Sequence, residues 1–490
     1  MSLDPYKKII QDTHKNKTMT EFIHEICSWY PLAMHRVDGI IGIYPGNDRH
    51  APMVTPEVFE KSRDSIPSIL YDENRDFFSQ FTLLFRSISL PGFHHYYSVE
   101  NAEYSNHVSS TSHTYMSYHV TGDCERVMYS LSTKIHSVNV YNSTMTWAYS
   151  ENVYQSIGII WSSSIFYSKF IRDSRNIYFS SDLIGCSECI FCHDLENTAF
   201  AIENTVYSQE VYEEKKREIL RKKWEFDHYY KGVKWIGKNI GSKNVTGKYI
   251  TDSEDVENGY YSHFVKNGKN LLFVWHPNTL TDAYNSVLCS AGSWYYGAVA
   301  VGGDSTEIYN CVSVMRSHEC YYSYFLEHCS HCFGCIGLKN TEYALFNTIY
   351  EKDEWFRLVW LICADMERSG LLGDFFPATC CPFFYEDTLA ALMDNRTISD
   401  FPKNHWYLSR PMKQSWYPES IQPIEYSELW NYEWYRDKSW YIEEDILQKI
   451  IRDDEGNLYT IQSLERDFLI RHALPLPRTY SMRRIRDNFT

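Results

Sequence analysis

Short alternations of apolar and polar residues run through the middle of the chain, each bounded by Ser, Asn, Asp or Gly. Examples are "SVNVYNS" at 137–143, "TMTWAYS" at 144–150 and "SSSIFYS" at 162–168. This is strand chemistry with turn punctuation. Aromatic side chains recur along it every 10 to 13 positions or so: Tyr118, Tyr129, Tyr141, Tyr154, Tyr167, Tyr178, Phe191 and Phe200, then Tyr284, Tyr296, Tyr309, Tyr321, Phe333 and Tyr343. Strands at a fixed short period, with no helical pattern between them, predict a solenoid in which each rung stacks on the one before. Two such units would make a coil of about two dozen residues, which suits a β-helix. A pair of β-sandwiches is the alternative, because regular strands near this spacing also build sandwiches.

Two stretches break the pattern. "SQEVYEEKKREILRKKWEFDHYYKG" at 208–232 is charged and free of Gly and Pro until its end, and "EKDEWFRLVWLICADMERSGLLG" at 351–373 closes on glycines. Both read as helices. A terminal rung exposes strand edges and apolar interior, so a helical cap is what each block requires.

The blocks are copies. "CSECIFC" begins at Cys186 and "CSHCFGC" at Cys329, an offset of 329 − 186 = 143. At that offset "SRNIYFS" (174–180) falls on "SHECYYS" (317–323), and Asn197, Thr198, Ala201, Asn204, Thr205 and Tyr207 fall on Asn340, Thr341, Ala344, Asn347, Thr348 and Tyr350. The expected fold is mainly β: two duplicated β-solenoid, β-helix-like blocks with helical caps and small α+β terminal modules. The expected divisions are an N-terminal module at 1–75, the first solenoid at 76–206, a helical linker or cap at 207–240, the second solenoid at 241–350 and a helical C-terminal region at 351–490.

A length of 490 residues agrees with several domains. With 47 basic and 63 acidic residues the net charge is −16, which disfavours nucleic acid as a general partner, since phosphate neutralisation dominates such affinity. No apolar run reaches the length of a membrane span, and the first residues lack an apolar signal core, so a cytoplasmic or virion-associated protein is expected. In a long chain of that kind the 14 cysteines read as thiols or metal ligands rather than a disulfide scaffold.

Several stretches resemble an uncharacterised family of Tyr- and Cys-rich repeat proteins with zinc-ribbon modules, predicted from genomes of candidate-phyla bacteria and some large viruses. The likeness covers "CFGCIGLKNTEYALFNTIYEKDEW", "GDFFPATCCPFFYEDTLA" (373–390), "SKNVTGKYITDSEDV" (242–256) and "DENRDFFSQF" (72–81). "GNLYTIQSLERDFLIRHALPLPRTYSMRRIR" near the end and "HRVDGIIGIYPGNDRHAPMVTPEVFEKS" (35–62) resemble the family's ribbons, with every ribbon cysteine replaced. A ribbon folds around its zinc, so the resemblance implies degenerate modules held by packing alone.

For Cys186, Cys189, Cys192, Cys329, Cys332 and Cys335 three readings stand. They are interior thiols of a solenoid, metal ligands with His193 or with His328 and His331 completing a zinc site, or disulfide-forming or redox-active thiols. Residues i and i+3 of an extended strand face opposite ways, so the three thiols of a triplet converge only where a turn intervenes. The expected cofactor is none, with zinc as the candidate. Arg478, Arg483, Arg484 and Arg486 concentrate positive charge at the end of an acidic chain. They form a candidate interaction segment, and removing 481–490 is expected to leave the fold intact.

No nucleophile elbow, H-E-x-x-H helix or phosphate loop is present; "VAVGGDSTE" around Gly302 and Gly303 lacks the lysine that a phosphate loop needs. The reading is a non-enzymatic structural or interaction protein, a scaffold presenting aromatic-rich surfaces to a protein partner, to itself, or to an assembly such as a virion or surface layer. The alternatives are a polysaccharide-acting β-helix enzyme using acids such as Asp252, Glu254 and Asp255, and nucleic-acid binding through the Arg-rich end.

Overall fold

The structure is a computed structural model that describes residues 3–489 apart from 251, 258, 261, 263, 264, 266, 273–281, 288–292, 295, 301–304, 395, 397, 402–406, 410–416, 418–420, 437 and 438. The chain forms two compact units, each discontinuous in sequence. One comprises Met1–Phe93 and Lys238–Arg410, the other His94–Gly237 and Pro411–Thr490. Each unit contains one parallel β-solenoid, as the duplication requires; sandwiches are absent from the described residues.

The local rule of the coil is a period of three. Ser164, Tyr167, Phe170, Asp173, Asn176, Phe179 and Asp182 all lie in the left-handed region, with φ between 49° and 59°. Two extended residues and one left-handed corner make one side, and the residue after each corner points inward: Ile165, Ser168, Ile171, Ser174, Ile177, Ser180 and Leu183 are all buried. Four such sides close a coil of 12 residues, so Ile165 pairs with Ile177 and Ile171 with Leu183 in parallel register. Thus the 12-residue period is a whole coil, half the length expected from the alternation. Earlier coils hold 13 residues, with Thr133 on Thr146 and Thr146 on Ile159. The extra residue is taken up at one corner by two successive left-handed residues, Ile135 with His136 and Ala148 with Tyr149.

A left-handed corner costs an L-residue about 1–2 kcal/mol, and the interior columns offset that cost. Inward positions alternate between aliphatic residues and serine. Where the backbone turns, an amide of the next coil needs an acceptor, and the serine below supplies it. Ser156 N–H donates to Ser143 Oγ at 3.2 Å, Ser168 N–H to Ser156 Oγ at 3.1 Å and Ser180 N–H to Ser168 Oγ at 3.2 Å. Each hydroxyl in turn donates to the carbonyl two residues back, as Ser156 does to Tyr154 at 2.8 Å. Buried backbone groups are thereby satisfied without a second strand.

Asparagine ends both stacks. Asn204 Oδ1 accepts the His193 N–H and its Nδ2 donates to the His193 carbonyl, both at 2.9 Å. Asn347 makes the same two bonds to Ile336, at 2.8 and 2.9 Å. A two-residue antiparallel strand follows in each block, Thr205–Val206 and Thr348–Ile349, then the cap helices Gln209–Arg221 and Lys352–Arg368. Tyr212 and Trp355, at the duplication offset, are fully buried under them.

Aromatic ladders run outside the coils and are covered by remote segments of the same unit. In the second solenoid Tyr284, Tyr296, Tyr309, Tyr321 and Phe333 stack at 5.0–5.7 Å. On the neighbouring corner Phe77, from the helix Phe77–Ser87, packs 5.2–5.3 Å from Tyr322, Phe333 and Phe346. In the first solenoid Phe468, from the helix Ser463–Arg471, lies 4.3 Å from Tyr141, and Phe226 lies 4.9 Å from Phe179. This need for cover redraws the expected divisions. Residues 76–93 pack in the unit of the second solenoid, the first solenoid begins with the strand His95–Glu103, and 351–490 is shared between the two units.

The terminal modules are small and mixed, as expected. Residues 35–62 form the hairpin His35–Val37 with Ile40–Gly42 and the helix Pro56–Ser62. The C-terminal module carries the hairpin Ile451–Arg452 with Leu458–Tyr459, followed by the helices Ser463–Arg471 and Ser481–Asp487.

Candidate functional site

The cysteine triplets occupy inward positions of the last complete coils, each one residue after a left-handed corner. Left-handed residues Glu188 and Phe191, and His331 with Gly334 in the second block, supply the turns that bring every third residue to the inside. All six thiols are buried. Cys189 lies in the aliphatic column between Ile177 and Ala201, and Cys332 lies between Cys320 and Ala344. Cys186, Cys192, Cys329 and Cys335 replace serine and keep its bonds: the Cys192 amide donates to Ser180 Oγ at 3.0 Å, and Cys335 Sγ donates to the Phe333 carbonyl at 3.5 Å.

The neighbouring thiols of Cys186 and Cys192, with burial, push the Cys189 thiol up; those of Cys320, Cys329 and Cys335, again with burial, do the same for Cys332. Cys186, beside Cys189, is lowered. The Cys189 thiol itself points to the Ser187 carbonyl at 3.5 Å, and in an apolar interior it stays protonated. The histidines do not join them. His193 is exposed, and His331 points outward to Glu319, with Nε2 2.7 Å from its carboxylate. Among the described residues no group of three or more His, Cys, Asp or Glu side chains is arranged to hold a metal ion.

The Arg-rich end is a folded plug. Arg484 is buried with Glu465 at 2.9 Å and lies 4.8 Å over the Tyr129 ring. Arg478 pairs with the buried Glu433, Arg483 with Asp454, and Arg486 reaches Glu455 at 3.6 Å from a half-exposed position. The same helix is stitched to the first solenoid, since Gln155 Nε2 donates to the Arg484 carbonyl at 2.9 Å and Asn488 Nδ2 to the Asn142 carbonyl at 3.0 Å. The charge is plain in the sequence, but its partners Asp454, Glu455, Glu433 and Glu465 are not.

The other candidates are coil furniture. Asp252 and Asp255 are left-handed corners, Asp255 accepts from Asn244 at 3.1 Å and Glu254 faces Lys243 at 3.5 Å. Gly302 and Gly303 lie outside the described residues.

Two polar clusters were missed. Lys7 bridges Glu307 and Glu319 at 2.9 Å each, and the His331 hydrogen bond, together with Lys7, holds Glu319 down at about 2. Positions 307, 319 and 331 are spaced by 12, a signal that the coil length would have exposed. In the second cluster His14 is fully buried, with Nδ1 2.6 Å from Asn285 Oδ1, and burial lowers it to about 3. In comparison with known proteins, no family model and no curated sequence matches the chain.

Proposed function

We propose that the protein is a non-enzymatic scaffold, a repeat frame that holds docked segments in place for a protein partner or for an assembly such as a virion or a surface layer. The observation that carries this reading is what the aromatic ladders do. In each unit they seat helices that are remote in sequence, through Phe77 in one case and Phe226 and Phe468 in the other. Large amphipathic rings on a rigid sheet are the chemistry of an interaction surface. The chain occupies these faces itself, so a partner meets the outer surfaces of the docked modules and the coil ends. Among the described residues no helix is long and apolar enough to cross a membrane.

The test is cross-linking of the native protein during purification from its source, followed by mapping of the linked residues. A scaffold is expected to yield one recurrent partner or a second copy at defined positions. Turnover of an acidic or neutral polysaccharide by the purified chain, lost on Glu254→Gln, would overturn the reading in favour of the enzyme.

A further inference from the structure

The second solenoid ends in a filled socket, and the first ends in the same socket exposed. After the helix Pro56–Ser62 and a 3-10 turn at Arg63–Ser65, an extended segment of the chain runs along the last coil of the second solenoid. Arg63 donates to the carbonyls of Gly337 and Leu338 at 3.0 Å each. The Asn347 side chain donates to the Pro67 carbonyl at 2.9 Å, the Ile69 N–H donates to the Phe346 carbonyl at 3.1 Å, and the Thr348 hydroxyl donates to the Ile69 carbonyl at 3.0 Å. Phe59 and Ile66 pack over Gly337, where a Cβ would lie 2.8 Å from Ile66 Cδ1.

The duplication offset carries these positions onto the first solenoid: Gly337 to Asp194, Leu338 to Leu195, Phe346 to Glu203, Asn347 to Asn204 and Thr348 to Thr205. The groups that read the backbone of the segment are retained, the asparagine and the threonine hydroxyl. Their surroundings are opposite. Residues 336–338 and 346–347 are buried, whereas His193, Asp194, Glu203, Asn204 and Thr205 are exposed. Among the described strands, His193–Glu196 pairs with Ser181–Ile184 and ends its row of the sheet. The side-chain pocket has also changed sign, from Gly337, Lys339 and Phe346 to Asp194, Glu196 and Glu203.

We infer that the end of the first solenoid is a docking site for an extended, basic segment of another polypeptide. It is bound through its backbone by Asn204 and Thr205 and through its cations by the acidic rim. The filled socket supplies the template: an arginine placed like Arg63 meets the carbonyls of Asp194 and Leu195, and a lysine or arginine in the place of Ile66 faces the exposed Glu196 and Glu203. Hydrogen bonds to the segment's backbone provide affinity, and charge selects the partner. This inference does not depend on the scaffold reading, since an enzyme could carry the same socket.

The probe is a labelled peptide with the sequence of residues 59–71, "FEKSRDSIPSILY", in which Ile66 is replaced by lysine, titrated into the full chain and followed by fluorescence anisotropy. Saturable, salt-weakened binding is expected, at least tenfold weaker to the Thr205→Val and Glu203→Lys variants and unchanged by Thr348→Val, which alters the filled socket. In the unaltered protein, hydrogen exchange is expected to slow at the amides of 193–196 when the peptide is added, a readout that needs no variant to fold. Absence of saturable binding, unaltered exchange at 193–196, or binding that follows Thr348→Val instead of Thr205→Val would each overturn the proposal.

Discussion

Replacing Ser156 by alanine removes two bonds at once, the acceptor for the Ser168 amide and the donor to the Tyr154 carbonyl. An orphaned buried amide costs about 1–3 kcal/mol, so Ser156→Ala is expected to lower the guanidinium midpoint by a corresponding amount, whereas Ser156→Cys costs less because cysteine serves natively in these columns. Equal losses for the two variants would mean that packing alone sets the residue. The thiol triplets follow the same logic. Their spacing was plain in the sequence, but extended-strand geometry sends i and i+3 to opposite faces, and only the left-handed Glu188 and Phe191 put all three inside. Nothing in the alternation marks a phenylalanine as a left-handed corner. Acid response also belongs to this scale. His14 is held neutral, its value lowered from 6.5 to about 3 by burial, so the unfolded chain binds the extra proton. Stability from this group is complete above pH 6.5 or so and is lost progressively as pH falls toward 3. A urea midpoint that stays flat between pH 7 and 4.5, or a His14→Gln variant with the same slope as the parent, would contradict this.

At the level of elements, the Arg-rich helix Ser481–Asp487 changes role between sequence and structure. Charge density at a chain end reads as an exposed arm, and the acidic partners could not be assigned because Glu433 and Glu465 are distant in sequence and sit in the fold only once the module is built. With Arg484 buried against Glu465, deletion of 481–490 is expected to destabilise the first solenoid's unit, the reverse of the effect expected for a loose arm. Arg484→Ala alone leaves a buried carboxylate unpaired, at a cost of about 3–5 kcal/mol. Arg484→Met with Glu465→Gln is expected to recover most of that, because the uncompensated charge is gone. Thermal melts of the three proteins decide the matter; an unaltered melt for the deletion would return the helix to the status of a solvated end. The cap helices were legible for the opposite reason. Gln209–Arg221 and Lys352–Arg368 are local in sequence, and the open coil below each one demands them.

For the molecule as a whole, the duplication was the most informative feature of the sequence, since the 143-residue offset superimposes inward columns, terminal asparagines and caps in both blocks. The discontinuous units were not legible, because nothing local links Phe77 to Phe346 or Phe468 to Tyr141; each ladder recruits its cover from wherever the chain returns. The coil rule itself makes the strongest claim at this scale. Removing residues 163–174 joins Ser162 to Arg175 and deletes one coil of 12, so every inward column keeps its register, as the pairings Ser163 with Arg175 and Ile165 with Ile177 indicate. Removing only 163–165 deletes a quarter of a coil. At the junction the aliphatic column then meets the serine column, and everything after it, including the cap helix, turns by one corner. The larger deletion is therefore expected to be the milder one, retaining a cooperative melt with some loss of stability from the missing Phe166 and Tyr167 contacts to Phe468 and Phe226. The three-residue deletion is expected to abolish cooperative unfolding of that unit. If circular dichroism melts rank the two deletions the other way, the solenoid is not stacked by a 12-residue rule, and the column assignments that place the cysteines and the terminal sockets fail with it.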